Sequence, residues 1–239
     1  MNFVIDQGNT FAKLAVFEQD KLVASQVFNE LNNEIINLFI SDYTIENAII
    51  SSVKKRMDKN LLKKYNLTHL THLTPLPLQL KYKTPKTLGI DRVAAVVGAI
   101  SKYKRTNILV IDIGTCITYD FVNSKKEYLG GAIAPGFEMR FKALNHFTEK
   151  LPLIKLDKKQ VKLIGNTTES AIVSGVYNGM KNEIEGTINS YLLQYEALKI
   201  VVTGGDINLF DLEPKNRIFA SEFLVLKGLN EILNYNAKK

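Results

Sequence analysis

The sequence predicts an α/β protein made of two similar domains. Three observations carry that expectation. Short apolar runs of strand length alternate with longer runs of helical period along all 239 residues. A unit of strand, tight turn, strand, turn and strand opens the chain and returns from residue 107. In each copy an aspartate closes the first strand and a glycine-containing turn follows it, Asp6-Gln7-Gly8-Asn9 in the first and Asp112-Ile113-Gly114-Thr115 in the second. Two copies are too few for a solenoid, so the expected organisation is an N-terminal domain over 1–106 and a C-terminal domain over 107–239, facing each other.

In chain order, Phe3-Val4-Ile5-Asp6 is a short apolar run and Gln7-Gly8-Asn9-Thr10 is turn-forming. Lys13-Leu14-Ala15-Val16-Phe17 then resumes a strand before a second turn at Gln19-Asp20. Residues 31–40 and 59–65 read as helices, and 48–53 as a strand. A proline-containing stretch at 73–85 leads into a helix over 91–103 whose apolar residues nearly encircle it, the pattern of a buried helix. The second copy runs through Ile108-Leu109-Val110-Ile111-Asp112, Ile117-Thr118-Tyr119-Asp120-Phe121-Val122 and residues 128–134. Pro135-Gly136 opens a helix reaching about residue 148. Residues 168–197 form a long helical pattern carrying Ile172, Val176, Met180, Ile184, Ile188 and Leu192. A strand at 199–203 ends in Gly204-Gly205-Asp206, and a helix over 222–235 closes the chain.

Composition narrows the function. With 46% hydrophobic and 23% charged residues the chain can bury a core, which excludes disorder as its main state. The longest apolar stretch, 93–100, is far short of the ~20 residues needed to cross a bilayer, and no basic n-region precedes an apolar run at the start. A single cysteine, Cys116, can form no intramolecular disulfide and reads as a small core residue. The cytoplasm is the expected compartment, with no membrane partner. The net charge of +7 comes mainly from residues 1–106, which hold 15 Lys and Arg against 9 Asp and Glu. Lys54, Lys55, Arg56, Lys59, Lys63 and Lys64 against Asp58 suit the solvated face of a helix. Without interleaved aromatics or a known module, no nucleic-acid partner is expected. His69 and His72 are spaced as a ligand pair would be, but no further cysteine or histidine lies near them in sequence.

A carboxylate at the end of a buried strand, followed by a glycine turn rich in hydroxyl and amide groups, supplies what a nucleotide phosphate needs. Glycine lets backbone approach closely, turn N–H groups and Thr or Asn side chains donate to phosphate oxygens, and the Asp faces a metal ion or its waters. One such turn is also ordinary hairpin chemistry. Two at equivalent places, with Gly204-Gly205-Asp206 after another strand, favour a phosphate site. No G-x-x-x-x-G-K-[ST], no G-x-G-x-x-G after a strand and no G-x-S-x-G occurs, which removes P-loop kinases, Rossmann dinucleotide folds and nucleophile-elbow hydrolases.

Paired domains with a nucleotide site but no P-loop resemble the superfamily of actin, hexokinase, acetate kinase and the heat-shock chaperones, in which two similar actin-like, ribonuclease H-like domains clasp ATP in the cleft between them. Six motifs together resemble one member family, type III pantothenate kinase. They are Asp6-Gln7-Gly8-Asn9-Thr10 with Lys13, Tyr82-x-x-Pro85-x-x-x-Gly89-Ile90-Asp91-Arg92, Asp112-Ile113-Gly114-Thr115, Gly130-Gly131-Ala132-Ile133-Ala134-Pro135-Gly136, Asn166-Thr167-Thr168 to Gly175, and Thr203-Gly204-Gly205-Asp206. The resemblance implies ATP-dependent phosphorylation of pantothenate to 4′-phosphopantothenate, the first step of coenzyme A synthesis. It also implies a homodimer that needs Mg2+ or another divalent cation and a monovalent cation, K+ or NH4+.

By that resemblance Asp6, Gln7, Gly8, Asn9, Thr10, Phe11, Ala12 and Lys13 bind ATP, with Asp6 facing the divalent metal directly or through water, and Lys13 a point charge for phosphate oxygens. Thr115 contacts ATP and Asp112 binds the monovalent cation, for which oxygen ligands are chemically apt. Asp91 is the expected catalytic base, although a first-turn acid or helix cap would look the same. Arg92 beside it suits a bidentate grip on an anionic group. Tyr82, Gly89, Ile90, Asp91, Arg92 and Thr168 match the family's substrate-binding positions. Either Thr167 or Thr168 fits a helix cap, and the seven-residue step to Gly175 assigns the family position to Thr168. Two other readings are a nucleotide-binding transcription accessory protein of the same fold and a superfamily kinase for another small hydroxylated substrate. The intact Asp91-Arg92 pair argues against the first.

Overall fold

Apolar residues at every position of Phe3-Val4-Ile5 make Asn2–Gln7 (β1) a strand buried on both faces. The computed structural model describes residues 1–54, 59–157, 161–210 and 218–237. β1 turns back antiparallel into Ala12–Glu18 (β2), which pairs antiparallel with Lys21–Phe28 (β3). The chain then crosses through helix Asn33–Ile40 (α1) to Asn47–Ser52 (β4), parallel to β1. Helix Lys59–Lys64 (α2) leads to the short strand Leu67–His69 (β5), parallel to β4. The sheet order is β3-β2-β1-β4-β5. Phe3, Ile5, Leu14, Val16 and Ile50 pack with Ile36 of α1 and Leu61 of α2 into one core.

After the two-residue strand Gln79–Leu80 (β6) comes the helix Ile90–Lys102 (α3), buried from Arg92 to Ile100 as its all-round apolar pattern predicts. Asn107–Ile113 (β7), Cys116–Val122 (β8) and Glu127–Pro135 (β9) repeat the opening unit. Phe137–His146 (α4), Thr168–Gln194 (α5), Leu198–Thr203 (β10), Ile218–Ala220 (β11) and Leu224–Ala237 (α6) complete the chain. The second sheet runs β11-β10-β7-β8-β9-β6, so its five strands from β9 to β11 repeat the order of the first sheet. This shared order is the structural counterpart of the repeat read in the sequence.

The chain divides into two compact units. The first comprises Met1–Ile108, Asp120–Gly130 and Glu222–Lys239, and the second Leu109–Tyr119 and Gly131–Ser221. The closing helix thus groups with the first unit. α6 packs on α3, β1 and β4 of the first unit. Its approach to α3 is backbone to backbone, because a Cβ on Gly228 would strike the Ala94 carbonyl and one on Gly98 the Leu224 carbonyl. Asn2 donates to Asn230 and Asn234 of α6 at 2.8 and 2.7 Å, and Asn230 donates to the Gln19 carbonyl, so the polar groups at this junction are satisfied. Such matches span more than two hundred residues and leave no periodic signal. In the second unit Phe137, Tyr177 and Phe210 stack with ring centroids 5.2 to 6.0 Å apart and pin α4 to α5.

Candidate functional site

The first phosphate-type turn closes between β1 and β2. Gly8 N–H donates to the Phe11 carbonyl at 2.9 Å, which folds Gly8 to Phe11 into a tight loop. Gln7 is fixed by Ser52, whose hydroxyl donates to its side-chain oxygen at 2.8 Å, while the Gln7 carbonyl accepts from Val53 N–H. Asp6 is buried, and its register partner on β2 is Lys13. Directly opposed residues share one face, so strand register sets a carboxylate beside an amine next to the loop. Asn9, Thr10 and Phe11 are exposed on the loop, and Ala12 is buried where β2 starts.

The second group also lies in the first unit. The N-cap of α3 is Gly89, so Asp91 is a first-turn acid and not the cap. A Cβ at Gly89 would come within 2.6 Å of Asp91 Oδ1 and displace that carboxylate. Asp91 Oδ1 accepts from Arg92 N–H at 2.9 Å. Burial raises the Asp91 pKa above the ordinary carboxylate value and the negative Asp120 adds to it, against backbone hydrogen bonds and the Arg92 charge. Arg92 turns inward. Its Nε donates to Asp120 Oδ1 and Oδ2 at 3.0 and 3.2 Å, and its Nη2 lies 2.7 Å from Oδ1. Tyr128 on β9 donates its hydroxyl to the same Oδ1 at 2.6 Å. Burial works against the Arg92 charge, but Asp120 outweighs it and holds the guanidinium above its ordinary pKa. Pairing of β6 with β9 sets Tyr82 over Tyr128, ring centroids 6.0 Å apart, and Gly130 at φ +109° leaves room for the Tyr82 ring. Tyr82, which stands apart from Gly89-Ile90-Asp91-Arg92 in the sequence motif, thus shares one connected cluster with Gly89, Asp91 and Arg92.

In the second unit three glycine motifs converge on the end of β7. A Cβ at Gly136 would strike the Gly114 carbonyl, and Gly136 N–H donates to the Thr115 carbonyl at 3.1 Å. Gly204, at φ +108°, lies against Ile113 and would set a Cβ 2.6 Å from Asp112 Oδ1. Asp206 N–H donates to the Ile113 carbonyl at 3.0 Å. Burial and the nearby Glu138 raise the Asp206 pKa. Thr115 is exposed at the turn and Asp112 half-buried beneath it.

The cap of α5 is Thr167, which accepts from Ser170 N–H at 3.1 Å in a reciprocal capping box. Thr168 is released from capping and lines an open cavity of about 750 Å³ with Arg140, Leu144, Leu151, Ile172 and Val176. Arg140 is held at that wall by Glu183 at 2.6 Å and by the Pro135 carbonyl at 2.8 Å.

Asp120 and Tyr128 are the site-cluster residues that sequence reasoning missed. The available signal was parity: Ile117, Tyr119 and Phe121 fill one face of β8 while Asp120 shares the other with the buried Val122, and a charge in a doubly buried strand requires a partner. Of the basic cluster, Lys55, Arg56 and Asp58 lie outside the described residues.

A family model described as type III pantothenate kinase matches residues 2–190. The type III pantothenate kinase of Christiangramia forsetii is 46% identical over 241 residues, 99% of each chain. That of Phocaeicola vulgatus is 46% identical over 244 residues, all of both chains. Among solved structures, a Campylobacter jejuni protein described as of the Baf family of transcriptional activators is 24% identical with a TM-score of 0.63, covering 99% of this chain and all of its own. A glucokinase from an Antarctic psychrotroph is 14% identical with a TM-score of 0.53, covering 98% of each. At these identities the structural likenesses speak to the fold alone, which is that of the actin-like sugar kinases.

Proposed function

The chain belongs to the type III pantothenate kinase family, and we propose from that premise that it transfers the terminal phosphoryl group of ATP to the primary hydroxyl of pantothenate, giving 4′-phosphopantothenate. The single observation that carries the chemistry is the Asp91 carboxylate, half-buried, raised in pKa by desolvation and hydrogen-bonded to the first turn of α3. Phosphoryl transfer asks the protein mainly for positioning, charge neutralisation and a base near the attacking hydroxyl. Asp91 takes that hydroxyl proton, while Arg92 and Tyr82 orient the substrate. Gly89 and Ile90 supply close backbone, and Thr168 contributes a hydroxyl. The loop from Asp6 to Lys13 receives phosphate, and Thr115 contacts ATP.

Two carboxylates support the cations proposed for this reaction. Asp6, a buried carboxylate beside the loop, suits a divalent ion held directly or through its waters. Asp112 Oδ1, lying where a Cβ on Gly204 would intrude, supplies an oxygen ligand of the kind that suits K+ or NH4+. When bound, the divalent ion neutralises charge developing on the transferred phosphoryl group. The use of ATP supports the cytoplasm as its compartment, and no described helix is long and apolar enough to cross a membrane.

The test measures ADP release with ATP and Mg2+, with and without pantothenate, in K+ and again in Na+. Pantothenate-dependent release that requires K+ is expected. Release indifferent to pantothenate would overturn the reading in favour of another substrate. We further propose a homodimer through the second unit, which exposes Phe147, Leu163, Ile164 and Leu193 to solvent at 80% or more. Light scattering at micromolar concentration should give twice the chain mass of 26.9 kDa, and a monomer would remove the proposal.

A further inference from the structure

Asp120 is completely buried, Arg92 is only 7% exposed, and their contact is a fork and not a point. Arg92 Nη2, although 2.7 Å from Asp120 Oδ1, makes no hydrogen bond of good geometry and has no other partner among the described residues. A buried donor of this kind is costly to leave unmade. Its neighbours show where the buried pair acts. Arg92 N–H fixes Asp91, and Tyr82 rests against Tyr128, so the ion pair belongs to the same cluster as the base. Resting on the pantothenate kinase reading, we infer that Asp120 and Tyr128 are positioning residues, which lock the Arg92 side chain and through it the Asp91 and Tyr82 groups that receive pantothenate. The long Arg92 side chain would otherwise spend binding energy on being ordered. The Tyr128 hydroxyl fills a further lone pair of Asp120 and restricts carboxylate rotation.

The test is steady-state kinetics on folded wild type, Tyr128→Phe, Asp120→Asn, Arg92→Lys and the Asp120→Asn/Arg92→Lys double variant. Asp120→Asn should raise the KM for pantothenate roughly tenfold, the loss expected of one charge-assisted hydrogen bond, with the KM for ATP unchanged within about twofold. Tyr128→Phe, which removes one hydroxyl, should raise it by about threefold. Because Asp120 acts through Arg92, the double variant should match Arg92→Lys alone and not the product of the two singles. Additive losses, or KM values for ATP and pantothenate rising together, would overturn the inference while leaving the kinase intact. If Asp120→Asn does not fold, Tyr128→Phe decides: an unchanged KM for pantothenate sinks the positioning role. A wild type without pantothenate-dependent turnover would overturn the functional reading and the inference with it.

Discussion

Asp91→Asn should lower pantothenate turnover by about a thousandfold, the middle of the range for losing a general base, while ATP binds as in the wild type. The substitution is nearly isosteric and keeps an oxygen for the Arg92 N–H, so what it removes is the capacity to accept the substrate proton. The same carboxylate sets a pH dependence. Its folded pKa is raised, first by burial and then by Asp120, so the acid limb of kcat/KM should lie above the ~3.9 of an ordinary aspartate, with activity lost as pH falls through it. Stability runs the other way. A raised carboxyl pKa favours the protonated folded state, so ionised Asp91 opposes folding above the unfolded pKa, and the Asn variant should melt no lower than wild type at neutral pH. ATP affinity by calorimetry, turnover by ADP release and a melting curve check all three. Retention of a tenth or more of the activity would remove Asp91 from the role of base.

Gly228→Ala should destabilise the protein by about 3 kcal/mol, a sizeable part of the roughly 5–15 kcal/mol that holds a typical domain folded. Overpacking is usually relieved by movement of a flexible side chain. Here the added methyl would strike the Ala94 carbonyl and come within 2.9 Å of Gly98 N, both backbone atoms of the buried stretch of α3. α3 and α6 would have to separate. Because Asp91 and Arg92 occupy the first turn of α3, that separation should also loosen the base. A melting temperature about 10 °C below wild type is expected. Gly186→Ala is the control: nothing lies within 4 Å of its added methyl on α5, so the helix should gain up to about 1 kcal/mol. An unchanged melting temperature for Gly228→Ala would show that α3 and α6 can move apart at little cost.

Much of this was legible in the residues. Strand length, β-branched runs and turn glycines are local properties, so β1, β2, β7 and β8 with their two Asp-Gly turns could be read directly. A helix as long as α5, whose stripe from Ile172 to Ile188 is buried, could hardly be mistaken. Strands of two or three residues such as β5, β6 and β11 have no period to detect and exist because a neighbouring strand offers hydrogen bonds. Asp91 and Arg92 were visible because a glycine, an acid and a base open an otherwise apolar helix.

By itself, the sequence determined the repeated α/β units, the order of the motifs and the chemistry offered by Asp6, Asp91 and Asp112. Tertiary structure alone decided that α6 returns to the first unit, that Thr167 rather than Thr168 caps α5, and that Arg92 turns inward onto Asp120. The physical reason is that propensity and periodicity encode which face a residue presents but not what lies opposite that face. A backbone-to-backbone helix contact and a buried ion pair, with partners 28 residues apart in the case of Arg92 and Asp120, exist only once the chain has folded.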